Sequence, residues 1–129
     1  MIENVTPRFV TSTLVEATAD AVTITWGLGD EIPRSADYFR YAVTYYGADE
    51  KAGAEFGARF HETPRAYVFD LATSTQANYA ADSIDLTDDR IVVRYRDASI
   101  GLTEVGTIFA SVTVDGDDVQ LNLPVTLLR

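Results

Sequence analysis

Along most of this chain, apolar and polar positions alternate with a period of two, the period of a half-buried strand. In "AVTITWG", Val22, Ile24 and Trp26 share one face, and Thr23 and Thr25 the other. "DYFRYAVTYYG" sets Phe39, Tyr41, Val43 and Tyr45 against Tyr38, Arg40, Ala42, Thr44 and Tyr46. "EFGARFH" groups Phe56, Ala58 and Phe60 opposite Glu55, Arg59 and His61, and "RAYVFDLA" groups Tyr67, Phe69 and Leu71. In "DDRIVVRYRD", Ile91, Val93 and Tyr95 point one way and Val92, Arg94 and Arg96 the other, with Arg90 at the start of the strand. Thr, Val, Tyr and Phe suit such a pleated surface. Turn signals separate the runs: "GLGDEIPRS", "GADEKAG", "ETP" and the polar stretch "TSTQANYAADSIDLTDD". The segment "GADEKAGAEF" has room for one helical turn, and its glycines argue against more.

The C-terminal end specifies a hairpin. Asp115–Gly116 separates two alternating runs, "TIFASVTV" and "DDVQLNL". A two-residue turn there pairs Val114 with Asp117, Val112 with Val119, Ala110 with Leu121 and Ile108 with Leu123. A slip of one residue would invert one strand's facing. Pro124 cannot donate to a ladder, so it marks an edge strand or a bulge. These runs predict about seven to nine strands with no convincing helix. The expected fold is all-β, an antiparallel two-sheet sandwich ending in a β-hairpin, with a small barrel as the alternative. No internal repeat or linker interrupts the chain, so residues 1–129 are expected to form a single domain.

Trp26 on the second strand, "YAVTYYG" on the third and the Val93–Tyr95 alternation on a late strand resemble a fibronectin type III or related immunoglobulin-like module. The resemblance spans roughly Val10 to Val114 and rests on pattern. It implies an immunoglobulin-like sandwich that binds or spaces other molecules, and it carries over no catalytic residue. The chain departs from it by its length, by the enlarged loop before the late strand, by an extra C-terminal strand and by lacking cysteines. Tyr79 is a candidate for a corner tyrosine, although its spacing to Ile91 is long.

Composition narrows the chemistry. The absence of cysteine excludes disulfides, thiolate zinc sites and cysteine nucleophiles. Ten basic against twenty acidic residues, a net charge of −10, argue against nucleic acid and anionic lipid as partners. No apolar run approaches the roughly 18 residues of a membrane span, and the N-terminus lacks a signal-peptide pattern. The expectation is cytoplasmic synthesis, or excision from a longer and then extracellular protein. Lys51 is the only lysine against nine arginines, which reflects codon usage and not mechanism.

No cofactor is expected. "DGDD" clusters Asp115, Asp117 and Asp118, for which calcium is the one plausible metal, yet the spacing lacks the twelve-residue calcium loop and the turn already explains Asp-Gly. Asp82, Asp85, Asp88 and Asp89 form a second acidic group in an expected loop, read as solvated. His61 is the only histidine, and no Gly-x-Ser-x-Gly elbow accompanies it.

The remaining signal is cationic and aromatic. If the third, fourth and late strands share a sheet, Tyr38, Arg40, Tyr46, Arg59, His61, Arg94 and Arg96 converge on one outward face. Tyr and Arg are enriched at protein interfaces. The alternative is a solvated face whose arginines pair with Glu55, Asp37 or Asp97 across strands. The leading expectation is a non-enzymatic structural or protein-binding module, working by self-association or with a protein partner. A bacteriophage head or tail component is the favoured role, because a cysteine-free sandwich without a secretion signal suits a virion protein. Two alternatives stand beside it: an extracellular carbohydrate-binding module using Tyr38 and Tyr46, and a small hydrolase or lyase with unidentified carboxylates.

Overall fold

A computed structural model of the chain describes residues 6–33, 37–47, 53–61, 63–98 and 105–128. Strands dominate: β1 (Arg8–Ala17), β2 (Ala21–Glu31), β3 (Phe39–Gly47), β4 (Gly53–His61), β5 (Thr63–Asp70), β6 (Thr75–Tyr79), β7 (Ile84–Leu86), β8 (Arg90–Arg96), β9 (Val105–Val114), β10 (Asp117–Leu123) and β11 (Thr126–Leu128). One 3-10 turn, Ala81–Ser83, interrupts them. They form two sheets, a five-stranded one in the order β11-β1-β2-β8-β7 and a six-stranded one in the order β10-β9-β3-β4-β5-β6. All pairings are antiparallel except β1 with β11. The expected all-β sandwich is therefore present, with eleven strands among the described residues in place of seven to nine.

The alternation sets what lies between the sheets. Val22, Ile24 and Trp26 from β2 and Ile91, Val93 and Tyr95 from β8 are buried against Phe39, Tyr41 and Val43 from β3 and Phe56, Ala58 and Phe60 from β4. The ring contacts are close: Phe39 stacks on Phe60 at 5.0 Å, and Phe56 meets Tyr95 edge-on at 5.1 Å. The two large phenols in this core are both satisfied. The Tyr41 hydroxyl accepts from the Arg8 N–H (2.9 Å) and donates to the Arg8 carbonyl (3.1 Å), tying the two sheets together. Tyr95 reaches across the core to donate to the Gly57 carbonyl at 2.9 Å. The Trp26 indole N–H has no partner among the described residues.

Several expected turns are strand. Gly27–Glu31 continues β2 instead of breaking it. The two glycines there let β1 lie close: a Cβ at Gly27 would run into the Ser12 hydroxyl, and one at Gly29 would sit 2.7 Å from the Thr11 methyl. The polar stretch from Thr73 to Asp89 holds β6 and β7, edge strands too short and polar for alternation to betray them. The expected helical turn falls largely on residues 48–52, outside those described, and Gly53–Phe56 begin β4.

The C-terminal hairpin turns at Asp115–Gly116, with both residues at positive φ (49° and 87°) as a type I′ turn requires. Val114 pairs with Asp117, yet the expected register further along does not hold. Irregularities after Asp118 and Gln120 set Gln120 opposite Val112 and Leu123 opposite Ala110. The cause is Gln120. Its amide accepts from Val10 N–H (2.8 Å) and donates to Val10 O (3.3 Å), where β1 itself is irregular. A polar side chain thus serves backbone groups of the other sheet, which are costly to leave unpaired. Pro124 follows β10, an edge strand, at the corner from which the chain crosses to β11 in the other sheet.

Candidate functional site

Among the described residues, no helix is long and apolar enough to cross a membrane. What the fold does display is a cationic row on the outer face of the six-stranded sheet. Arg40 on β3 is directly opposite Arg59 on β4, and Arg59 is directly opposite Arg65 on β5. Like charges facing each other across an antiparallel pair destabilise it, so three in register require a local reason.

Arg40 has one. Its Nη1 lies 3.6 Å from Glu55 Oε2, and its Nη2 is 3.5 Å from the Thr113 hydroxyl, which donates to Asp118 at 3.3 Å. Tyr67 donates to the same Glu55 carboxylate in a short hydrogen bond. Burial opposes the Arg40 charge, but the Tyr67 and Glu55 oxygens outweigh it, so its pKa lies above the usual guanidinium value. Burial and then Glu55 push the Tyr67 phenol well up, so it stays a donor. Gly57 makes this possible. The Tyr67 ring lies over it, leaving no space for a Cβ, and is 4% exposed on a face that would otherwise be open.

Arg59 and Arg65 differ. Neither side chain forms a hydrogen bond or ion pair among the described residues. With Tyr38, His61 and Thr63 they line a shallow depression of about 400 Å³. Its far wall is fixed from the hairpin turn. The Asp115 carboxylate accepts from the N–H groups of Asp37 (3.1 Å) and Tyr38 (3.0 Å), while the Asp115 N–H donates to Tyr38 O at 2.7 Å. His61 Nδ1 lies 3.1 Å from the Asp37 carbonyl, and its ring meets Tyr38 edge-on at 6.3 Å.

The structure brings Tyr38, Arg40, Arg59 and His61 together and separates the other expected residues from them. Tyr46 is on the same face at the opposite end of β3, about 20 Å along the strand from Arg40, where it stacks on Phe109 at 6.5 Å. Arg94 and Arg96 are not on this sheet at all. They point outward and are exposed, but β8 pairs with β2, so they lie on the outer face of the five-stranded sheet. The expected convergence is corrected accordingly: the strand beside β3 is β9, which sets Thr113 and not an arginine against Arg40. Alternation gave the facing of β8, but facing does not say which sheet a strand joins. Arg65 was missed. It shares the parity of Tyr67 and Phe69, and the short connection after His61 aligns it with Arg59.

Two of the three calcium candidates serve the fold: Asp115 holds the Tyr38 segment, and Asp118 accepts from Thr113, while Asp117 pairs with Val114 at the start of β10. Among the described residues, no three His, Asp or Glu side chains converge as metal ligands. Tyr79 donates to the Arg96 carbonyl at 2.8 Å, linking the edge of one sheet to β8 of the other. A second hollow of about 410 Å³ opens between the sheets at one end, lined by Arg8, Glu31, Phe39, Tyr41 and Asp88 among others. His61 belongs to the arginine depression, so neither hollow joins it to a set of carboxylates.

Comparison with known proteins finds no matching family model, no matching curated protein and no matching solved structure. The class that the fold itself defines is the all-β, two-sheet sandwich.

Proposed function

We propose that this protein is a non-enzymatic module that acts by protein–protein contact, with the outer face of the six-stranded sheet as its contact surface. The arginine row carries the reading. A chain of net charge −10 holds three guanidiniums in register, two of them without a described partner. Planar guanidiniums match carboxylates bidentately, and strands hold them more rigidly than loops would. The immunoglobulin-like reading is supported by strand order: β1-β2-β8-β7 against β10-β9-β3-β4 follows the A-B-E-D and G-F-C-C′ arrangement of variable-type sandwiches. The particular role proposed within this class is a structural subunit of a bacteriophage particle, since a cysteine-free sandwich with a row of arginines in register on one sheet suits repeated subunit contacts.

Light scattering over a concentration series tests the reading. The mass of the wild type should rise with concentration. Arg59→Glu with Arg65→Glu should abolish the rise, and Arg94→Glu with Arg96→Glu should not. Melting temperatures should stay within about 3 °C, as expected for surface changes. A strict monomer removes the assembly role, and loss of folding on reversing Arg59 and Arg65 makes those arginines structural. The stacked Tyr46–Phe109 pair on the same face favours carbohydrate binding as a second reading. Calorimetry with soluble oligosaccharides would support it if heats appear and vanish in Tyr46→Ala, and no heats would remove it.

A further inference from the structure

The fold also exposes a segment of opposite sign. Asp82, Asp85, Asp88 and Asp89 lie within eight residues, running from the 3-10 turn through β7 to the start of β8, and all four are exposed. β7 is the last strand of the five-stranded sheet. Thr87 donates to Asp89 at 3.0 Å, but none of these carboxylates forms an ion pair among the described residues. The described ion pair on the arginine face, Arg40 with Glu55, leaves Arg59 and Arg65 over. Within one copy, then, an unpaired cationic depression and an unpaired anionic segment sit on different sheets.

We infer that the depression formed by Arg59, Arg65, Tyr38 and His61 receives the Asp82–Asp89 segment of a second copy of this chain. This rests on the protein-contact reading and names its occupant. The two surfaces differ, so the contact is head-to-tail: each copy offers one arginine face and one acidic segment. Such contacts propagate, closing into a ring where the rotation allows and otherwise extending as a filament. Both surfaces are solvent-exposed, so the contact is strongest at low ionic strength. The Debye length is about 30 Å at 0.01 M salt and about 3 Å at 1 M.

Sedimentation velocity on the full chain, at about 0.01 M and about 0.5 M salt, tests the inference. The wild type should associate at low salt and dissociate at high salt. The face variant, Arg59→Glu with Arg65→Glu, and the segment variant, Asp82→Lys with Asp85→Lys and Asp88→Lys, should each remain monomeric alone. Mixed in equal amounts they should associate, because every contact is again complementary. If the segment variant associates as well as wild type while the face variant does not, the occupant is wrong and the contact face stands. A mixture that stays monomeric also overturns the inference. A wild type that is monomeric at low salt overturns both the inference and the assembly role. Circular dichroism confirms folding of each variant. Should a reversal fail to fold, Arg59→Gln with Arg65→Gln and Asp85→Asn with Asp88→Asn should each lower association at least threefold, and no change would overturn the inference.

Discussion

Replacing Gly57 with alanine should lift the Tyr67 ring from the face of the six-stranded sheet. The new Cβ would fall within the space of the Tyr67 ring carbons and hydroxyl, so the ring must move. Tyr67 is 4% exposed, and its hydroxyl is held by Glu55. A tyrosine buries about 150–250 Å². Returning roughly half of it, about 100 Å², to water costs about 2.5 kcal/mol at ~25 cal/mol per Å². Losing a hydrogen bond to a carboxylate adds about 1.5–3 kcal/mol, reduced as both groups rehydrate. Against this, alanine is favoured over glycine in a strand interior by roughly 0.5–1 kcal/mol. The net expectation is a loss of about 2–4 kcal/mol, read from urea denaturation as a lower midpoint at unchanged slope. The same substitution in a Tyr67→Ala background should be neutral, or stabilising by up to about 1 kcal/mol. The difference between backgrounds isolates the contact. A cost below about 0.5 kcal/mol for Gly57→Ala alone, with no dependence on Tyr67, would refute the reasoning.

Alkaline pH should unfold the protein through its buried phenols. Burial pushes Tyr41 up to about 12, and burial likewise raises Tyr67 and Tyr95. The native state therefore holds these protons more tightly than the unfolded chain. The stability they supply is complete below pH about 10 and is lost as pH rises towards the folded values. Each ionising tyrosine contributes a slope of about 1.4 kcal/mol per pH unit, so denaturation midpoints should fall steeply above pH about 10, and flat midpoints to pH about 11.5 would contradict this. Tyr95→Phe should cost about 1–3 kcal/mol by leaving the Gly57 carbonyl buried without its donor, again measured by urea denaturation. Gln120→Leu should speed hydrogen exchange at the Val10 amide by about tenfold, because it removes the side-chain oxygen that accepts from it.

The legibility of this protein in its sequence divides along a physical line. Alternation is a local property, and for Val22–Trp26, Phe39–Tyr45, Phe56–Phe60 and Ile91–Tyr95 it assigned the buried face correctly. The Asp115–Gly116 turn was equally legible, because two adjacent positive φ values demand such residues. The candidate site was half legible. Parity put Arg40 and Arg59 outward, and the short connection after His61 held the information that aligns Arg65 with them.

What the sequence by itself determined was therefore which way each side chain faces, through the period-two pattern and the turn chemistry. Tertiary structure alone decided which strands become neighbours. Sheet membership depends on pairings between residues far apart in the chain, so no local pattern could show that β8 joins β2 and carries Arg94 and Arg96 away from Arg40 and Arg59. The Gln120 contact with Val10 spans 110 positions and overrode the hairpin register that alternation favoured. Facing is fixed by the geometry of one strand, and partnership by the packing of the whole molecule.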